Sequence, residues 1–166
     1  MADATDGERS DGWTGALRSR LEDLLDEYRA SLHDSLNGLT EEEAALRLVP
    51  SETTLLGLVK HATYVEGVWF EQAISGHSYA DIGIPTTPGK SFTLTKDDTI
   101  ASVQAAHRLR CERSRRTMAA LDLDAVVDGR GPRAVWALQL QVLRELAQHT
   151  GHADIPREQI VARRAD

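Results

Sequence analysis

A chain of 166 residues, 41% hydrophobic and 27% charged, has enough apolar surface to bury one core and lacks the low hydrophobicity of a disordered segment. Its formal net charge of -7, with basic residues scattered instead of gathered into a stripe, argues against a nucleic-acid partner. No apolar run of about 18 residues occurs and the opening MADATDGERSDG is polar and acidic, so a cytoplasmic protein without a membrane segment is expected, and the single cysteine, Cys111, excludes a disulfide framework and any Cys-rich zinc site.

Residues 1–12 read as a solvated, disordered tail and 13–166 as a single domain. From Trp13 onward, Leu17, Leu21, Leu24, Leu25, Tyr28, Leu32 and Leu36 recur at helical spacing, and Asn37-Gly38 ends that stripe. Thr40 and Glu43 stand at capping-box spacing and predict a short connector helix before Pro50. A second long helix is predicted through Leu55, Leu58, Val59, Ala62, Val65 and Trp69, stopping at Ser75-Gly76. Residues 76–95, rich in proline, glycine and hydroxyls, form a long irregular loop of the kind that covers a site.

Thr95 with Asp98 is expected to cap a third helix running through Ile100, Val103, Ala106, Leu109 and Met118. GRGPR breaks the chain as a turn, and Pro132 suits the first position of a fourth helix carrying Val135, Leu140, Leu143 and Leu146. No strand pattern, internal repeat or low-complexity segment competes. The fold class is therefore all-α, a four-helix bundle with its long loop between the second and third long helices.

The stretch LRELAQHTGHAD carries the chemistry. Leu138, Val142, Glu145, His149 and His152 lie three or four residues apart and share one helix face. Glu145 and His149 are either a solvent-facing pair or two ligands able to meet at one ion. His61, beside Leu58, Ala62 and Val65 on the second long helix, is either a hydrogen-bonded core histidine or the third ligand. His152 is either an exposed helix residue or a group that supports the site and shuttles protons.

SETTLLGLVKHATYVEGVWFEQAISG and LRELAQHTGHADIPRE resemble the two signature helices of the DinB-like superfamily, in particular its actinobacterial branch near mycothiol-dependent S-transferases and maleylpyruvate isomerases. The resemblance covers residues 13 to 160. It implies a four-helix bundle holding a divalent metal, zinc or else nickel, on His61, Glu145 and His149. It also implies a transferase or isomerase in which the metal activates a low-molecular-weight thiol such as mycothiol against a small electrophile. A metal-containing stress or ligand-binding bundle without turnover and a metal-dependent hydrolase share the same ligands. The chain departs from that branch at Gln141 and Val142, where relatives carry His and Met, and at Pro156, which is expected to end or kink the last helix just beyond the site.

The remaining candidates have plainer readings. Glu66 reads as a surface charge that could orient a ligand, and Trp69 and Trp136 read as core. His33, His77 and His107 read as surface or cap residues, and Cys111 as an inert, partly buried thiol. No P-loop, nucleophile elbow or dinucleotide fingerprint occurs. Self-association as a closed homodimer is expected from an apolar strip on an outer face.

Overall fold

The computed structural model describes residues 6–164, with side chains from residue 16 onward. The chain is mostly helical, with one small antiparallel hairpin. Helix α1 spans Asp6–Asp34, so it begins within the segment expected to be a tail, whose residues 1–5 lie outside the described residues. Leu21, Leu25 and Leu32 are buried along its inner side and Leu36 just beyond its end, whereas Leu17 is exposed, which makes the stripe shorter than the sequence spacing suggests.

The connector α2, Glu41–Ala44, opens on the expected capping box: the Thr40 hydroxyl accepts from the Glu43 amide and the Glu43 carboxylate accepts from the Thr40 amide. It ends well short of Pro50. Helix α3, Leu55–Gly67, starts where the Thr54 hydroxyl accepts from the Gly57 amide at 2.9 Å. Nearly all of α3 is buried, because it packs at once against two later long helices, α6 (Ile100–Ala119) and α7 (Val135–Ala162), and the short helix α5 (Pro88–Phe92). It runs into a π-helical turn, Val68–Gln72, and then α4, Ala73–Ser75. Gly76 ends the run at φ +72, a left-handed conformation that glycine adopts without penalty.

Within the long loop lies α5, Pro88–Phe92, capped by Thr87. Helix α6 spans Ile100–Ala119, and its cap is Thr99 paired with Ser102, not Thr95 with Asp98. The Thr95–Asp98 hydrogen bonds do form, at 2.6 Å from the amide and 3.0 Å from the hydroxyl, but they close the turn before the helix. Two equivalent capping patterns sit one turn apart, and the second is the one next to Ile100.

Pro132 lies before the last helix and not at its first position. Residues Val126–Val127 (β1) and Arg133–Ala134 (β2) pair antiparallel, Val126 with Ala134 and Val127 with Arg133, so GRGPR is the turn of a hairpin and α7 begins at Val135. Helix α7 then continues through Pro156 to Ala162, past the point where an end was expected. Proline removes one backbone donor, but the turns on either side are tied down. Ala153 and Ile160 are buried, Arg157 donates to the Ser35 and Asn37 carbonyls, and Arg164 binds Glu43 and the Gly38 carbonyl. Helix α1 packs along α7 and α3 along both α6 and α7, which leaves the α3–α7 seam as the line where polar side chains of the two signature segments meet. Among the described residues no helix is long and apolar enough to cross a membrane.

Candidate functional site

His61, on α3, and Glu145 and His149, on α7, are brought together: each offers a ligand atom, and those atoms lie within 4.8 Å of one another. The two imidazoles meet edge to face with ring centroids 4.7 Å apart. His61 is 5% and His149 8% exposed, while Glu145 is partly open to solvent. Burial, with repulsion from His149, pushes the His61 imidazole down to about 3, and burial lowers His149 too, against the pull of Glu145. Both rings are therefore neutral at physiological pH, the state in which an imidazole can ligate a metal.

The surroundings treat the two histidines differently. His61 Nδ1 lies 2.6 Å from the Ser91 hydroxyl, and the Phe92 ring stacks on the imidazole at 4.0 Å. Ser91 and Phe92 come from α5, held over α3 in part by Lys60, whose ammonium donates to the Thr93 carbonyl at 2.8 Å and to Asp98 at 2.7 Å. Gly57 permits this approach: a Cβ there would stand 3.0 Å from the Phe92 carbonyl and 2.9 Å from the Thr54 hydroxyl. The long loop, expected to cover a site, thus supplies a wall beside His61.

His149, by contrast, has neither ring nitrogen hydrogen-bonded although both are buried. Its Nε2 is 3.6 Å from Glu145 Oε2, too far for a hydrogen bond. Glu145 Oε1 accepts from the Gln141 amide at 2.8 Å, which fixes the carboxylate with its other oxygen toward His149. Gln141 is thus a partner of the carboxylate. His152 is exposed at the rim, its ring centroid 5.7 Å from that of His149. Two imidazoles and a carboxylate converging on one point, one of the imidazoles left without a partner, are a donor set that fits a divalent ion.

Beside this geometry stands a comparison with known proteins: the mycothiol S-transferase family model matches residues 20–162. The chain belongs to the mycothiol S-transferase family. The matched span takes in α3, the loop and the whole of α7, hence His61, Ser91, Glu145 and His149. No curated protein matches the chain.

A second buried group of ionisable side chains lies around Glu66. Glu66 is fully buried, not a surface charge, and its carboxylate accepts from Arg29 Nε at 2.8 Å and Nη2 at 3.0 Å. His107 is also fully buried, not a cap. Its Nδ1 is 2.8 Å from His33 Nε2, and its Nε2 is 3.4 Å from the Cys111 sulfur. His33 is half-buried and His77 exposed. Glu66, His107 and Cys111 place ligand-type atoms within 4.8 Å of one another as well. The Cys111 thiol is pushed up to about 12 by burial and the nearby Glu66, so it stays protonated and inert. Of the tryptophans, Trp136 is 42% exposed, and Trp69 lies partly buried beneath the guanidinium groups of Arg130 and Arg133 at 5.5 and 5.7 Å. Trp69 is thus a cation-binding face as much as a core residue.

Proposed function

We propose that the chain is a metal-dependent transferase that joins mycothiol, or a closely similar small thiol, to a small electrophile. His61, Glu145 and His149 hold one divalent ion on facing helices of a four-helix bundle formed by α1, α3, α6 and α7. The observation that carries this reading is His149, a buried imidazole with two unpartnered nitrogens aimed among His61 and Glu145. Leaving one such nitrogen unsatisfied costs on the order of 1–3 kcal/mol, a cost that ligation removes at the nitrogen that binds the ion. Nitrogen and oxygen donors of this set suit zinc, with nickel also accommodated.

Such an ion supplies one thing when bound: a thiol on its open coordination position loses its proton near neutral pH. The chain's own residues do the rest. Neutral His61 and His149 present lone pairs, Gln141 holds the carboxylate, and Phe92 covers one face of His61 against water. Cys111 packs against His107 and Glu66, away from this donor set, and remains protonated, so the reacting sulfur comes from outside the chain. His152, exposed at the rim, is placed to pass a proton between the site and bulk water.

Two measurements test the reading. Elemental analysis of protein prepared without chelator and supplied with zinc should find one ion per chain, and none after His61→Ala, Glu145→Ala or His149→Ala. Incubation with mycothiol and either a bimane or maleylpyruvate should give turnover that needs the thiol. Turnover without thiol would favour hydrolysis, and tight ligand retention without turnover would favour a binding protein.

A further inference from the structure

We infer that Ser91 is a positioning residue that selects the tautomer of His61 and so decides which of its nitrogens is offered to the ion. The inference rests on the metal reading above, and its logic is one of donors and acceptors. Ser91 is 1% exposed, and its Oγ touches two partners: His61 Nδ1 at 2.6 Å and the carbonyl oxygen of Pro88. A hydroxyl has one proton to give and lone pairs to receive with. The Pro88 carbonyl is an acceptor only, so the Ser91 proton goes there. The Ser91 oxygen must then receive from His61, which requires the proton of the neutral ring to sit on Nδ1.

Nε2 is left bare. A neutral imidazole in water prefers the opposite tautomer, with its proton on Nε2. Reversing the Ser91 hydroxyl would leave its oxygen against the Pro88 carbonyl oxygen with no proton between them, and would put the ring proton on Nε2. The arrangement is built into α5, because Pro88 and Ser91 stand three residues apart on that short helix and Thr87 caps its start. Gly57 and Lys60 hold the same segment onto α3. The position of the loop and the affinity for the ion are therefore linked: whatever lifts α5 away from α3 releases Nδ1 and frees His61 to change tautomer.

The tautomer is visible without metal and without turnover. In ¹⁵N-labelled, metal-free wild-type protein, two-bond proton–nitrogen correlations should show His61 protonated at Nδ1 and bare at Nε2. Ser91→Ala should move the proton wholly or partly to Nε2 and raise the zinc dissociation constant about 10–100-fold in a chelator competition. An Nε2–H tautomer in the wild type overturns the inference even where zinc binds stoichiometrically. So does a Ser91→Ala protein with unchanged tautomer and zinc affinity. Loss of both readings is distinguishable, since a wild type that binds no zinc removes the metal site itself whatever the tautomer of His61.

Discussion

Two buried groups of ionisable side chains stand in this molecule, and they differ in whether the chain completes them. Around Glu66, the carboxylate is held by both arms of Arg29, His107 has a partner on each nitrogen, and Asp26 and Arg115 extend the network to the surface. Around His149, the chain supplies neighbours and no hydrogen bond. Both groups present atoms at metal-ligand separations, so proximity does not separate them. Completeness does. A network whose members satisfy one another holds helices in place, and one that leaves a buried imidazole open is a place for something from outside the chain.

The contrast predicts opposite responses to deletion. Glu66→Ala leaves the buried Arg29 guanidinium with Asp26 alone, and urea unfolding should show a loss of roughly 3–5 kcal/mol, the usual cost of breaking a buried pair from one side. His149→Leu in the metal-free protein removes two unsatisfied polar atoms and keeps the bulk, so stability should hold or rise. Equal losses in the two variants would erase the distinction.

A smaller effect follows from acid. Burial first, then the positive neighbourhood of His33, Arg29, Arg115 and Arg108, pushes His107 down to about 3. The unfolded chain binds a proton there near pH 6.5 while the folded chain refuses it, so stability is complete above 6.5 and falls as the pH drops toward 3. Each such group contributes a slope of about 1.4 kcal/mol per pH unit inside that window. Between pH 6.5 and 5, where carboxylates remain ionised, denaturation midpoints of wild type and His107→Asn should converge as acid is added. Parallel lines would mean that His107 is charged in the fold.

What could be read in the sequence divides along the same line. Glu145 and His149 were legible because four residues on a helix is a fixed distance in space, and the resemblance of two segments joined them to His61. The completed network was not legible, because Glu66 and Arg29 are 37 residues apart and His33 and His107 are 74 apart. Only packing brings them together, so each looked like an isolated surface group. Ser91 was hidden for another reason: it sits in a loop with no periodicity, where one hydroxyl among many carries no signal. Helix existence follows from apolar spacing, whereas the start of α6 is ambiguous by one turn in the sequence because Thr95–Asp98 and Thr99–Ser102 satisfy the same local rule. Pro156 misled in the other direction, since the contacts of Arg157, Ile160 and Arg164 that keep α7 intact are all tertiary.

The finest test of the comparison uses a residue that belongs to neither group. His152 lies three residues beyond His149 on α7, is exposed, and keeps its ring 5.7 Å from that of His149. Water already solvates its nitrogens, so it has no orphaned atom to complete and no buried partner to abandon. His152→Ala should change unfolding free energy by less than about 0.5 kcal/mol, the range of an ordinary surface substitution. It should also leave zinc stoichiometry intact, because an imidazole rotated off the line from Glu145 to His149 does not reach the point where the three proposed ligands, His61, Glu145 and His149, meet. If turnover with mycothiol slows in this variant while zinc stays bound, His152 moves protons at the rim of the site. If instead the metal is lost, the first coordination sphere includes His152 and the assignment of His61, Glu145 and His149 as its three members is wrong.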